Sequence, residues 1–226
     1  VQLDYFAVGY GSGGDVNKPY CVNPLDGLRA AGVALNEELS AIYLGWVRNN
    51  PADHGFWGHW PRCHPEMPVS EDIVKNAAAK SDAAVVIIGR SAGEDRENTL
   101  EQGSYYLTDT ELSMLDRVTR LFSKTAVLLN CGNIIDMSWV ERFRGRGISV
   151  LYVWQGGMEN GNATADVLLG KKSPSGKLAD TIAKSYEDYP ASANFGKREF
   201  NNYAEDIFVG YRYFETFAKD RVLYPF

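Results

Sequence analysis

The stretch Ala83-Ala84-Val85-Val86-Ile87-Ile88, released into Gly89-Arg90-Ser91-Ala92-Gly93-Glu94-Asp95-Arg96-Glu97-Asn98, decides the fold of this chain. A short unbroken apolar run rich in β-branched residues reads as a strand buried on both faces, which is the pattern of a parallel sheet. Ala126–Asn130 and Ser149–Trp154 have the same character, and glycine follows closely after each run. Between the runs lie helices. Thr108-Asp109-Thr110-Glu111 has capping-box form, and Leu112, Leu115, Val118 and Phe122 then recur at helical spacing. A short helix over Asp136–Phe143 leads to the third strand, and a helix over Glu159–Leu169 is closed by Gly170. Upstream, Ser70 is placed to cap a helix over Glu71–Lys80, and Asn36–Val47 reads as a further amphipathic helix. Alternating strands and helices predict an α/β fold, a doubly wound, mainly parallel sheet flanked by helices on both faces. Asn49–Pro68, broken by prolines, glycines and tryptophans, is expected to be a long loop.

Composition narrows the partners. The 226 residues carry a net charge of −6, and no Lys/Arg cluster exceeds the pair Lys171-Lys172, which argues against a nucleic-acid backbone as ligand. No stretch approaches the roughly 18 uninterrupted apolar residues of a membrane helix. Val1-Gln2-Leu3-Asp4 lacks the basic start of a secretory leader. Cys21, Cys63 and Cys131 form no Cys-x-x-Cys pair and suit reduced thiols in the cytoplasm, although a leader lost from a fragment would leave no trace. His54, His59, Cys63 and His64 are interrupted by Gly and Pro at spacings that do not share a helix face, so this segment reads as an aromatic loop rather than a metal site. Nothing in the sequence calls for a cofactor.

In open α/β sheets, chemistry collects outside the carboxyl ends of the strands, and the charged segment after Ile88 sits at such an end. Glu94 follows a glycine that permits a sharp, exposed turn, and Arg96 stands close enough to tune an acid. On charge alone the same segment also reads as solvated surface. Gly11-Ser12-Gly13-Gly14-Asp15 lacks phosphate-loop spacing and suits a loop over a ligand or plain turn glycines. In Gln155-Gly156-Gly157-Met158-Glu159-Asn160-Gly161 the glycines point to close strand-to-helix packing. No Gly-x-Ser-x-Gly nucleophile elbow is present. Trp57 and Trp60 are of a kind that stacks on sugar rings and equally of a kind that packs in a loop or core, and the aromatic segment from Asn201 to Phe226 implies packing against something large.

Several separated segments point the same way. They are Gly11-Ser12-Gly13-Gly14; Val85-Val86-Ile87-Ile88-Gly89-Arg90 leading to Gly93-Glu94-Asp95-Arg96; Val127-Leu128-Leu129-Asn130 with Gly132; and Trp154-Gln155-Gly156-Gly157. After these come Ala165-Asp166-Val167-Leu168-Leu169-Gly170, Pro174-Ser175-Gly176-Lys177-Leu178, and Glu205-Asp206-Ile207-Phe208-Val209-Gly210-Tyr211-Arg212-Tyr213-Phe214 with Tyr224-Pro225-Phe226. In this order the chain resembles the α/β sandwich domain of glycoside hydrolase family 3, the β-glucosidase and β-xylosidase family.

That resemblance implies a retaining glycosidase acting on a β-linked glucoside or oligosaccharide. Its nucleophilic aspartate would lie on a TIM-type barrel domain, and Glu94 matches the acid/base glutamate supplied by the sandwich. Asp95, Arg96 and Trp57 would be substrate-binding residues. Many relatives carry Gly-Glu-Gly-aromatic-Asp-Arg, whereas here Glu94 abuts Asp95-Arg96, which keeps Glu97 and Glu101 as alternative acids. Residues 1–226 are therefore expected to be one such domain from a longer protein, inactive without its barrel. A non-catalytic carbohydrate-binding or interaction module and a nucleotide-binding domain are the competing readings.

Overall fold

The computed structural model describes residues 5–11, 13–14, 16–56, 59–94, 97–197 and 199–226. They divide into two compact units. The larger holds the described residues up to Asn133 together with Phe143–Pro174, and the smaller holds Ile134–Arg142 and Ser175–Phe226.

The larger unit is built on a three-stranded parallel sheet in the order β1 (Ala84–Arg90), β2 (Thr125–Cys131), β3 (Ile148–Tyr152). Register sets Ile87 beside Leu128 and Leu128 beside Leu151, and this face packs Val153 and Leu168. Side chains alternate along a strand, so Val86, Ile88, Val127 and Leu129 point the other way. They are no more than 5% exposed, so both faces of the sheet are covered, as a doubly wound α/β sandwich requires.

Helices α1 (Pro24–Ala30), α2 (Glu37–Asn49) and α3 (Glu71–Ala78) precede the sheet, and α4 (Asp109–Leu121) links β1 to β2. Each begins where a side chain satisfies a backbone donor that the helix cannot. Asn23, Asn36, Ser70 and Thr108 accept from Asp26, Leu39, Ile73 and Glu111 N–H respectively. At α4 the capping box is complete, and Met114, Leu115 and Val118 form its buried face. Helix α1, with Pro at its first position, was not expected. It packs on α6 (Asn160–Leu168) at backbone distance, because a Cβ on Gly27 would fall 2.2 Å from Gly161 O. The glycine at 161 therefore serves helix-to-helix contact rather than the strand-to-helix packing expected. Asn49, expected to open the loop, is the last residue of α2, and the described residues between 50 and 68 form the expected loop, tightened by the paired N–H···O bonds of Phe56 and His59, each 2.8 Å.

The first strand runs two residues further than its apolar run, through Gly89 and Arg90. Arg90 is 2% exposed. Its guanidinium donates to both carboxylate oxygens of Glu111, each at 2.7 Å, and to the carbonyls of Gly89 (2.7 Å), Ser104 (3.1 Å) and Tyr106 (3.3 Å). Burial opposes the charge on Arg90, and the Glu111 carboxylate more than offsets it, so the guanidinium holds its proton more tightly than usual. Glu111 Oε2 also accepts Thr108 N–H at 2.8 Å.

The smaller unit contains the single turn α5 (Trp139–Arg142), shorter than the expected Asp136–Phe143 because Asp136 accepts from Ser138 N–H (3.2 Å) and Oγ (2.7 Å), a turn that competes with the helix. It also holds an antiparallel pair, β4 (Ile182–Ala183) with β5 (Val222–Tyr224), and α7 (Tyr211–Phe217). Ala183, Phe214 and Ala218 form its core, with Tyr189 edge-on to Phe214 at 5.7 Å. The rest of the aromatic segment divides. Tyr203 is 86% exposed, and Tyr211, Phe217 and Phe226 are also exposed.

Two outcomes follow from buried charge. Glu111→Gln keeps the capping acceptor but strands a buried guanidinium, and should cost about 3 kcal/mol in urea unfolding. Adding Arg90→Met should recover part of that loss. A single-variant cost below about 1 kcal/mol would remove the pair from any structural role. Glu66 supplies the second. Burial pushes its carboxyl up to about 7, with the Glu111 charge adding to the shift, while Tyr43 OH (3.2 Å) and Met67 N–H (2.9 Å) donate to Oε1. Its folded value lies above the ordinary carboxylate range, so its contribution to stability is complete at low pH and is lost as pH rises toward 7. Between pH 4 and pH 8 the protein should lose about 2–3 kcal/mol more than Glu66→Gln. Parallel pH curves for the two proteins would exclude Glu66 as the cause.

Candidate active site at the carboxyl edge of the sheet

The loops leaving β1, β2 and β3 meet at one edge, and the segment Phe6–Tyr10 is bonded across all three. Asn130, at 0% exposure, joins them. Its Oδ1 accepts Phe6 N–H, its Nδ2 donates to Phe6 O, both at 2.8 Å, and Nδ2 also donates to Trp154 O at 2.7 Å. Only a carboxamide offers an acceptor and two donors in one plane, which explains a polar side chain at the end of an apolar strand. Trp154 holds φ +51°, a strained conformation for a bulky residue, and its ring lies 4.4 Å from that of Tyr152.

Further along, Gly157 N–H donates to Ala7 O (2.8 Å), Tyr10 N–H to Ala92 O (2.9 Å), and Glu94 N–H to Tyr10 O (3.0 Å). Tyr10 and Gly93 thus pair as a parallel bridge. A Cβ at Gly93 would lie 2.4 Å from Tyr10 O, and one at Gly132 would lie 2.3 Å from Ala92 Cβ. Gly11 has φ +89°, and a Cβ there would fall 2.7 Å from Glu94 Cβ. Gly13 N–H reaches the carboxylate itself, 3.0 Å from Oε2. The glycine-rich segment therefore wraps Glu94, and Glu94 remains exposed.

A small polar hollow nearby in sequence is lined by Arg62, Arg90, Ser91, Glu97, Asn98, Ser104 and Asn133. Arg62 Nη1 donates to Glu97 O (2.6 Å) and Ser104 Oγ (3.1 Å), and Asn133 Nδ2 to Asn98 Oδ1 (3.3 Å). Arg62 O accepts Ser91 N–H at 2.8 Å, which ties the long loop to the end of β1. The Trp60 ring stacks on Tyr10 at 5.5 Å, one residue from the turn around Glu94.

Of the residues singled out in the sequence, Glu94, the glycines around it and Trp60 come together here. Trp57, Asp95 and Arg96 lie outside the described residues. Glu97 is exposed and engages Arg62 through its carbonyl, while Glu101 accepts Thr99 Oγ1 at 2.9 Å within a local turn. Tyr10, Arg62 and Asn130 were not singled out. The one available signal was Asn130, a carboxamide closing an apolar run.

His64 stacks on Phe6 (4.6 Å), with His54 edge-on to it (6.4 Å), and His59 stacks on Phe56 (5.2 Å). Among the described residues no group of three or more His, Cys, Asp or Glu is placed to hold a metal ion, and no helix is long and apolar enough to cross a membrane. Burial pushes the Cys63 thiol up and the Cys131 thiol to about 12, so neither is an activated nucleophile.

The β-glucosidase of Ruminococcus albus is 52% identical over 227 residues, covering 100% of this chain and 24% of that protein. β-Glucosidase A of Butyrivibrio fibrisolvens is 39% identical, covering 99% and 30%. Among solved structures, the β-glucosidase of Paenibacillus barengoltzii superimposes with a TM-score of 0.95 at 53% identity, covering 100% of this chain and 25% of that one. β-Glucosidase 3B of Thermotoga neapolitana, solved with glucose, gives 0.85 at 34%, covering 100% and 32%. The chain thus spans about a quarter to a third of the length of these proteins. Residues 4–211 match the glycosyl hydrolase family 3 C-terminal domain, and the chain belongs to that family.

Proposed function

We propose that the chain is the acid/base-bearing α/β sandwich domain of a retaining β-glucosidase, acting on a β-linked glucoside or oligosaccharide. Residues 1–226 would be one domain of a longer enzyme, and its nucleophile a carboxylate on a TIM-type barrel domain that this chain does not contain. The observation that carries the proposal is Glu94. It is exposed at the carboxyl edge of the sheet, on a backbone tied to Tyr10 and with its carboxylate held by Gly13 N–H. That the similar proteins are β-glucosidases supports the substrate class. Three unpaired cysteines suit a reducing compartment, which supports a cytoplasmic enzyme.

Retention of anomeric configuration takes two displacements, with the two carboxyl groups about 5 Å apart across the glycosidic bond. Glu94 would protonate the departing oxygen in the first displacement. As a carboxylate it would then take a proton from water in the second. Asp95, Arg96 and Trp57 would be substrate-binding residues.

In the full-length enzyme, Glu94→Gln should lower kcat/KM on alkyl β-glucosides by about 10²–10⁴-fold. Dinitrophenyl β-glucoside, whose leaving group departs unprotonated, should lose far less. A near-normal rate on alkyl glucosides would move the acid elsewhere, with Glu97 and Glu101 next in line. The isolated chain should not turn over either substrate, and robust hydrolysis by it would refute the need for a second domain. Glucoside binding by the isolated chain, indifferent to Glu94→Gln and lost with Trp57→Ala, would instead favour a binding module.

A further inference from the structure

Phe6 lies outside the strands, yet both of its backbone polar groups are paired by one side chain. Asn130 Oδ1 accepts its N–H and Asn130 Nδ2 donates to its carbonyl, each at 2.8 Å, the exchange that a residue of a neighbouring strand would make. Nδ2 gives its second hydrogen to Trp154 O at 2.7 Å, so both donors of this fully buried carboxamide are used. A leucine of nearly the same shape would suit the apolar strand better and would leave three buried backbone groups unpaired. The segment that starts at Phe6 is therefore fastened to the end of β2 by a single side chain.

Four residues on, the same segment reaches the proposed acid. Ala7 O accepts Gly157 N–H (2.8 Å), Tyr10 N–H donates to Ala92 O (2.9 Å), and Tyr10 O accepts Glu94 N–H (3.0 Å). At Gly9 the approach is so close that a Cβ would fall 3.0 Å from Ala92 O. The backbone of Glu94 is thus placed by residues 6–10, and residues 6–10 are placed at their start by Asn130.

From this chain of bonds we infer that Asn130 is a positioning residue for the proposed reaction, holding residues 6–10 so that Tyr10 O fixes the backbone from which Glu94 delivers its proton. The inference rests on the assignment of Glu94 as the acid/base. In the first displacement the Glu94 proton passes to the glycosidic oxygen as the C1–O bond breaks, and the electron pair of that bond stays on the departing oxygen. The carboxylate nucleophile bonds to C1. Misplacing the acid by a fraction of an ångström slows this transfer, whereas a leaving group that departs unprotonated does not draw on it.

The test uses the full-length enzyme and kcat/KM, which reports the first displacement. Asn130→Asp keeps the volume and the acceptor for Phe6 N–H but supplies at most one of the two donors. Its loss on alkyl glucosides should exceed its loss on dinitrophenyl glucoside by about 10-fold. Val127→Ala, which removes buried methyl groups from the same strand, should lose equally on both substrates or not at all. Should Asn130→Asp not fold, Gly9→Ala carries the test. It deletes no hydrogen bond and presses the segment away from Ala92 O, and its excess loss on alkyl glucosides should be about 3-fold. A loss uniform across leaving groups in the variant tested, or the same dependence in Val127→Ala, would overturn the inference. If Glu94→Gln shows the dependence and Asn130→Asp does not, only the role of Asn130 falls. If Glu94→Gln shows none, the assignment of the acid falls as well.

Discussion

Arg90 and Glu111 are withdrawn from water at the end of β1, 2.7 Å apart through two parallel hydrogen bonds. Removing two ions from water costs several kcal/mol each, and their attraction offsets this only where the remaining donors and acceptors are also used. Here they are. Arg90 holds the carbonyls of Gly89, Ser104 and Tyr106, and Glu111 closes the capping box on Thr108. One pair therefore fixes the last residue of a strand, the loop that returns from it and the first turn of α4. The loop between is the one that carries Glu94.

From that anchor, order passes outward along hydrogen bonds rather than through apolar packing. Ser104 O accepts from Arg90, and Ser104 Oγ accepts from Arg62 and from Thr99 N–H (2.9 Å). Arg62 in turn holds Glu97 O, three residues past Glu94. On the other side, Asn130 binds Phe6 and Trp154 to the end of β2, and the segment leaving Phe6 reaches Tyr10, which takes Glu94 N–H. Glu94 N–H is thus held by bonds that start at the buried Asn130, and Glu97 by bonds that start at the buried Arg90. Glycines at 11, 93 and 132 are needed because these loops approach at distances that leave no space for a Cβ.

What could be read from the sequence follows from the range of the forces involved. β1 and β2 announce themselves because burial on both faces demands continuous apolar runs; β3 has a similar apolar run, although none of its residues is fully buried, against the expectation of a third strand buried on both faces. The start of α4 announces itself because a capping box is a local exchange of hydrogen bonds between Thr108 and Glu111. The true end of β1 does not. Arg90 belongs in a buried strand only because Glu111, 21 positions away, neutralises it, and no local pattern carries that pairing. The same reasoning covers α1. Its Asn23-Pro24 start is a local signal, but seven residues of weak periodicity gain their stability from a backbone contact with Gly161. At the site, Glu94 was legible from its place beyond the first strand, and the resemblance supplied the role expected of it. The residues that hold it were not, because Tyr10 and Gly13 act through backbone groups that every residue type except proline could supply.

The construction around Glu94 bears on how the proposed reaction would divide its work. Glu94 is exposed with Gly13 N–H 3.0 Å from its carboxylate, so on the proposed reading the domain would supply orientation and leave the surroundings of the acid in a medium of high dielectric. Charge development at a departing oxygen is stabilised most where water is excluded and the dipoles are already aligned. A site with one exposed, oriented acid therefore has half of what it needs in place before substrate arrives. The other half, the exclusion of water, would come with the sugar and the domain that carries the nucleophile. Catalysis in such an arrangement depends on closure of two bodies around one bond, and rigidity at the carboxyl edge of the sheet is what makes that closure productive. An acid free to swing would lose in orientation what it gained in desolvation.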